Sequence, residues 1–288
     1  MPLANIDGIA TRYEVVGSGP PLLMFSPGGF DATLGQWSSL GIYAATGMLK
    51  HLSSRYTCIT FDRRECGESG GRIERVTWFD YAVQGKGLLD HLKIERAHLL
   101  GGCMGCGPVL ASAVAFPQAA LSMILYWPVG GAKYRLNVHR RFAEHLAYVQ
   151  EHGLDAVVRR VTAEGKPFNK DPRGGPWASL IRRDPAFAEA FVRQNPDRYR
   201  LLLTGMVRTM FDRDTAPGAE PEDLMGLDIP ALIVPGQDAS HATSAARYLE
   251  ECLPRAEYWD VPVAAQTEET APRRLLEFLD SPIRGGIS

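Results

Sequence analysis

Long apolar runs are missing from this 288-residue chain. None approaches the roughly 20 residues needed to span a bilayer, and Met1-Pro2-Leu3-Ala4-Asn5 lacks the basic-then-apolar order of a secretory leader. Membrane insertion and secretion are therefore not expected, and a cytoplasmic protein is. An excess of charge of either sign is missing too: 31 Lys and Arg against 33 Asp and Glu leave a formal net charge of −2, which gives nucleic acid nothing to hold. Only five cysteines occur, Cys58, Cys66, Cys103, Cys106 and Cys252, an odd number without the spacing of a disulfide framework, so reduced thiols are the default. Seven histidines occur and none follows His241. No His, Cys or acidic cluster has ligand-like spacing, and neither a dinucleotide fingerprint nor a P-loop is present, so neither metal nor cofactor is expected.

What is present is ordinary globular composition, 45% hydrophobic and 22% charged, and a βα alternation that predicts a mostly parallel, doubly wound α/β sheet. Ile59-Thr60-Phe61, His98-Leu99-Leu100, Met123 to Trp127 and Ala231 to Val234 have the short buried pattern of central strands. Between the last two the period changes to that of helices, over Tyr134–Gln150, Leu154–Ala163, Trp177–Arg182, Pro185–Arg193 and Asp197–Phe211. The expected layout is a core of residues 1–131 and 229–288 with an inserted helical cap at 132–228. That cap is basic, with arginines such as Arg135, Arg141, Arg160, Arg183 and Arg208 outnumbering nearby acids. An anionic substrate is one reading of this; a solvated outer helix face is the other. His139, His145 and His152 fall on cap helices, where exposure is the plain expectation.

The most informative stretch is Gly101-Gly102-Cys103-Met104-Gly105, between an apolar strand and a helix-like run. A strand that turns sharply into a helix admits only small residues two before and two after the turn's apex. Gly101 and Gly105 meet that demand and make Cys103 the apex. At a helix N-terminus, orphan N–H groups and the helix dipole favour a thiolate over a thiol.

This pattern resembles the nucleophile elbow of the α/β-hydrolase superfamily, with cysteine where serine is usual. The likeness runs from Asp7 to about Asp280. Pro27-Gly28-Gly29-Phe30 falls where the family has its oxyanion loop, and Asp62, Arg64, Gly67 and Ser69 fit the family's next turn, although Glu65 replaces its first glycine. The resemblance implies an oxyanion site made by the backbone N–H of Met104 with one from Gly29 or Phe30. It also implies an acid at Asp238, in Ile233-Val234-Pro235-Gly236-Gln237-Asp238, and a histidine after the last strand. There the chain has Pro262-Val263-Ala264-Ala265-Gln266, and Gln266 stands in the histidine's place. Glutamine cannot accept and return a proton near neutral pH. His241, three residues beyond Asp238, is the best substitute base. Gln266, Trp127 and Cys106 are further candidates for the lining of the site.

The expected activity is a hydrolase or acyltransferase that attacks an ester, thioester or lactone of a small molecule, one that carries a carboxylate if the basic cap faces it, through an acyl-cysteine. Two other classes stay open on the sequence. One is a binding or sensor protein that kept the pocket but not the turnover, which Gln266 favours. The other is thiol redox or adduct chemistry at Cys103 and Cys106, a Cys-x-x-Cys at a helix start.

Overall fold

Period-two alternation in the strand segments divides their side chains between two helical layers. The computed structural model describes residues 2–281 and contains an eight-stranded sheet. Its strands are β1 (Leu3–Ile6), β2 (Ile9–Val16), β3 (Pro21–Phe25), β4 (Thr57–Phe61), β5 (Ala97–Gly102), β6 (Ala120–Tyr126), β7 (Ala231–Val234) and β8 (Ala256–Tyr258). They lie in the order β1-β2-β4-β3-β5-β6-β7-β8, parallel from β4 onward, with β1 and β2 antiparallel at one edge.

Leu23, Phe25, Ile59, Phe61, Leu99 and Leu125 point to one face. They pack there against α4 (Trp78–His91), α5 (Cys106–Ala115), α10 (Pro221–Met225) and α11 (Thr243–Cys252). Leu22, Met24, Cys58, Leu100 and Ile124 point to the other, against α1 (Gln36–Ser39), α2 (Gly41–Ala45), α3 (Met48–Leu52) and α12 (Thr270–Asp280). Each such side chain contributes about 1.5–3 kcal/mol by leaving water, and the central strands are buried on both faces, as a parallel sheet requires.

Five helices lie between β6 and β7: α6 (Ala132–Glu164), α7 (Ala178–Arg183), α8 (Pro185–Val192), α9 (Pro196–Met210) and α10. The two helices expected from Tyr134 to Ala163 form one run, bent where Gly153 takes φ 81° and ψ 169°. Glycine reaches that geometry without a Cβ clash, so the axis changes direction where the periodicity breaks. The first four of these share a core with the sheet's upper edge: Phe30, Trp78, Met104 and Val129 meet Phe142, Phe168, Phe191, Tyr199 and Phe211. Phe30 is its aromatic centre, edge-on to Phe142 at 5.4 Å, Phe168 at 5.5 Å and Phe211 at 6.1 Å.

The turn after β4 accommodates its departure from the family pattern. Glu65 holds φ 68°, the left-handed conformation a glycine would adopt freely. The conformation costs about 1–2 kcal/mol, and the buried carboxylate is tied to Arg64 Nε at 2.7 Å. Asp62 ties the same turn by accepting from the amides of Leu34 at 2.8 Å and Glu68 at 2.7 Å.

Where β5 passes into α5 the backbone leaves no room. A Cβ on Gly105 would stand 2.2 Å from the carbonyl oxygen of Phe25, and one on Gly101 would stand 2.5 Å from that of Gly105. Both obstacles are backbone and cannot swing aside. Gly105→Ala should therefore lower the free energy of unfolding by at least about 2 kcal/mol, read from urea midpoints. Gly35→Ala is the control: that residue is right-handed with open space around it, and alanine there should be neutral or stabilising by up to about 1 kcal/mol.

Candidate active site

Cys103 sits at the crest of that turn with φ 54°, a conformation costly for any residue with a side chain. Beneath it the buried Tyr43 hydroxyl accepts the Cys103 N–H and donates to the Tyr126 carbonyl at 3.3 Å. The elbow is thus fastened to the end of β6. Tyr43 carries no motif, and only its place on a short helix facing β5 and β6 gives it this task. The sulfur borders a cavity of about 310 Å³ walled by Gly28, Gly29, Phe30, Met104, Tyr134, Val138, Phe168 and His241 among others. The backbone N–H groups of Met104 and Gly28 face the sulfur. Gly29 and Phe30, the loop positions expected to supply the second donor, line the cavity beside them.

Asp238 follows β7 and folds its own loop. One carboxylate oxygen accepts from the amides of Ser240 at 2.7 Å and His241 at 3.0 Å, which turns the chain back and brings the imidazole onto the same carboxylate. His241 Nδ1 lies 2.8 Å and 2.9 Å from the two oxygens. Nδ1 therefore donates, leaving Nε2 to face the sulfur, with no other hydrogen-bond partner among the described residues.

Burial opposes charge on both groups, yet each overcomes it through the other. Burial pushes the Cys103 thiol up, but hydrogen bonding to and the positive charge of His241, with the Met104 and Gly28 amides, hold it below the ordinary cysteine value. Burial pulls His241 down, but Cys103 first and Asp238 second raise it to about 9. Each group thus favours the charged form of the other, a thiolate beside an imidazolium. The other four thiols go the opposite way: burial pushes Cys58 and Cys66 up to about 12, Cys106 well above the ordinary value, and Cys252 upward.

Gln266, Trp127 and Cys106 do not line the cavity, contrary to the sequence expectation. Gln266 is buried, and its side chain is fully engaged: Oε1 accepts from Trp127 Nε1 at 2.7 Å and Tyr126 Oη at 3.1 Å, while Nε2 donates to the Pro235 carbonyl at 2.8 Å. Trp127, itself left-handed at φ 55°, is held by this bond with its ring centroid 5.3 Å from that of His241. The residue in the family's histidine position therefore braces, through Trp127, the wall behind the imidazole. Gly236 completes that wall, where a Cβ would lie 2.6 Å from the Cβ of His241. Cys106 lies under the elbow, its thiol donating to the Gly101 carbonyl at 3.2 Å.

The remaining histidines are occupied elsewhere. His98 bonds Ser122 at 2.8 Å inside the sheet, and His139 bonds the Phe211 carbonyl at 2.8 Å. His145, expected on an exposed face, is buried between the Arg173 carbonyl at 3.0 Å and Tyr199 Oη at 2.7 Å, because the 172–175 turn folds over it. Between α3 and α12 lies a roomier cavity, about 940 Å³, whose walls include His51, Glu268 and Glu277 but no cysteine or serine. No group of three or more His, Cys, Asp or Glu suited to a metal occurs among the described residues. No helix among them is long and apolar enough to cross a membrane.

Comparison with known proteins agrees with this architecture. Residues 21–158 match the family model described as the alpha/beta hydrolase fold. The enol-lactonase of Burkholderia xenovorans LB400 superposes with a TM-score of 0.61 at 20% identity, covering 96% of this chain and 99% of that one. The chain thus has the α/β-hydrolase fold. Among curated relatives, the dihydrolipoyllysine-residue acetyltransferase component of the acetoin cleaving system of Cupriavidus necator is 33% identical over 127 residues, 44% of this chain and 32% of that protein. The 2-hydroxymuconate semialdehyde hydrolase of Pseudomonas sp. (strain CF600) is 30% identical over 127 residues, 43% of this chain and 41% of that one. The chain therefore spans less than half the length of either relative.

Two measurements follow from the site. Iodoacetamide at pH 7 should alkylate Cys103 before any other cysteine. His241→Ala should slow that alkylation about tenfold or more by removing the cation that holds the thiolate; peptide mass spectrometry at limiting reagent gives both results, and faster labelling of Cys58 or Cys252 would refute the assignment. Gln266→Ala should lower the unfolding free energy by at least about 2 kcal/mol, because it orphans Tyr126 Oη, Trp127 Nε1 and the Pro235 carbonyl together, as chemical denaturation would register.

Proposed function

We propose that the protein is a cysteine-dependent hydrolase or acyltransferase for an activated carbonyl of a small molecule, an ester, thioester or lactone, working through an acyl-cysteine. The observation that carries this reading is the line Cys103–His241–Asp238, in which the thiol is lowered and the imidazole raised by one another beside two backbone amides. The relatives named as a hydrolase, an enol-lactonase and an acetyltransferase component support the same chemistry. The cavity, about 310 Å³, is at the small end of ligand sites, which run from about 300 to 1,000 Å³.

The chemistry derives from the groups in place. The Cys103 thiolate adds to the carbonyl carbon, forming the S–C bond as the carbonyl π pair moves onto oxygen. That oxyanion is met by N–H groups of Met104 and of the 28–30 loop, donors fixed before the reaction begins. Collapse restores the carbonyl and expels the alkoxide or thiolate, which takes the proton on His241 Nε2. The neutral imidazole then removes a proton from water or another acceptor, which attacks the thioester and returns the thiolate. Asp238 holds the tautomer throughout and stabilises the imidazolium. The five free cysteines suit the reducing conditions of a cytoplasmic enzyme.

A dithiol role has less support, because Cys106 is buried and its thiol is pushed well up. A sensor that has lost turnover is tested by the same experiment as catalysis. A chromogenic ester should give a burst of one equivalent, with an acyl adduct on Cys103 detected by mass. Cys103→Ala should abolish both, and His241→Ala should slow acylation about 10²–10⁴-fold. The rate should fall as pH drops through the lowered Cys103 value, where the thiolate is protonated. It should also fall above about 9, where His241 loses its proton. Turnover that survives Cys103→Ala would overturn the proposal.

A further inference from the structure

The basic character of the inserted segment resolves, residue by residue, into cations already used and a few that are not, two of which border the cavity over Cys103. Arg135 pairs with Asp214 at 2.5 Å, Arg160 with Asp171 at 2.7 Å and Glu164 at 3.0 Å, and Arg193 with Glu189 at 2.8 Å. Arg159 pairs with Asp155, while Arg182 and Arg183 bond the carbonyls of Gly165, Gly67 and Ser69. Arg141 and Lys170 have no acidic partner within 4 Å among the described residues, and both border the cavity over Cys103. No Asp or Glu borders it. Arg141 is half-buried and follows Tyr134 and Val138 on one stripe of α6, at the spacing that puts all three on the same face. Lys170 is exposed on the loop that also supplies Phe168 and Asn169 to the wall.

A half-buried guanidinium without a carboxylate gains most from an anion brought by a ligand, since Arg pairs with carboxylates bidentately. The same cavity is walled by the apolar Phe30, Tyr134, Val138 and Phe168, which suit a short hydrocarbon chain. We propose that Arg141, assisted by Lys170, forms a carboxylate subsite, so that the acyl group delivered to Cys103 is the half-ester, half-thioester or carboxylated lactone form of a short dicarboxylic acid. This rests on the acyl-cysteine reading for its chemistry but not for its binding.

The test separates the two. Wild-type kcat/KM is compared for a monoester of glutaric acid and the matching neutral diester, together with Arg141→Gln and the exposed, remote Arg193→Gln. The acid-to-neutral ratio should exceed about 10 in wild type, collapse toward one in Arg141→Gln, and stay unchanged in Arg193→Gln; loss of one charged hydrogen-bond partner is worth about 10–100-fold. In parallel, Cys103→Ala protein is titrated calorimetrically with glutarate and with its neutral diamide. Glutarate should bind, more weakly at high salt and far more weakly when Arg141→Gln is added. Glutarate binding that depends on Arg141, with no ester turned over by wild type, would uphold the subsite and overturn the acyl-cysteine reading. Equal kcat/KM for the two esters, with no glutarate binding, would overturn the subsite and leave the acyl-cysteine untouched.

Discussion

Cys103 occupies a backbone conformation that its own side chain resists, φ 54°, and every other feature of the site presupposes it. The turn is possible only because Gly101 and Gly105 let β5 and α5 come within contact of β3. It persists because Tyr43 holds the Cys103 amide from below. Strain of this kind, of order 1–3 kcal/mol, survives only where its surroundings over-determine it. In return the sulfur is lifted clear of the sheet, toward the Met104 and Gly28 amides and an imidazole whose Nε2 has no other partner among the described residues. A thiol in that position is held below the ordinary cysteine value, although burial alone would have raised it.

The same logic separates five chemically identical thiols. Cys58, Cys66, Cys106 and Cys252 are buried without a compensating cation strong enough to matter, and burial raises them all. Cys66 is the instructive case, because Arg63 lies within 3.8 Å and still does not overcome desolvation. Proximity to positive charge is therefore insufficient. At Cys103 it is joined by a hydrogen bond from His241 and by two amides that converge on the sulfur.

Much of this was legible in the chain, for identifiable reasons. Glycines at fixed offsets from Cys103 mark a steric demand that no side chain can meet, and the strand patterns follow from burial on two faces. Asp238 and His241 stand close together because three residues are enough for a carboxylate to fold its own loop. Other parts had no local signal. That Gln266 serves as a brace depends on Tyr126, Trp127 and Pro235, two of them about 140 positions away. Which arginine of a basic segment faces inward depends on where each acid falls after folding, so Arg141 looked like its neighbours until their partners were in place. His145 departs from its expected exposure for the same reason: its burial comes from a turn nearly thirty residues on.

Because Asp238 and His241 belong to one loop held by its own hydrogen bonds and tied to Gly130, which donates to the Ser240 carbonyl at 3.0 Å and accepts from the Ala242 amide at 3.4 Å, carboxylate and imidazole share one frame. A displacement of that loop leaves the Nδ1–carboxylate geometry intact and alters a single coordinate, the approach of Nε2 to sulfur. In a triad whose histidine comes from a separate segment, the same disturbance would break two alignments at once. Here the imidazole keeps its orientation to the carboxylate whatever the position of the loop, and Trp127 and Gly236 back it from behind.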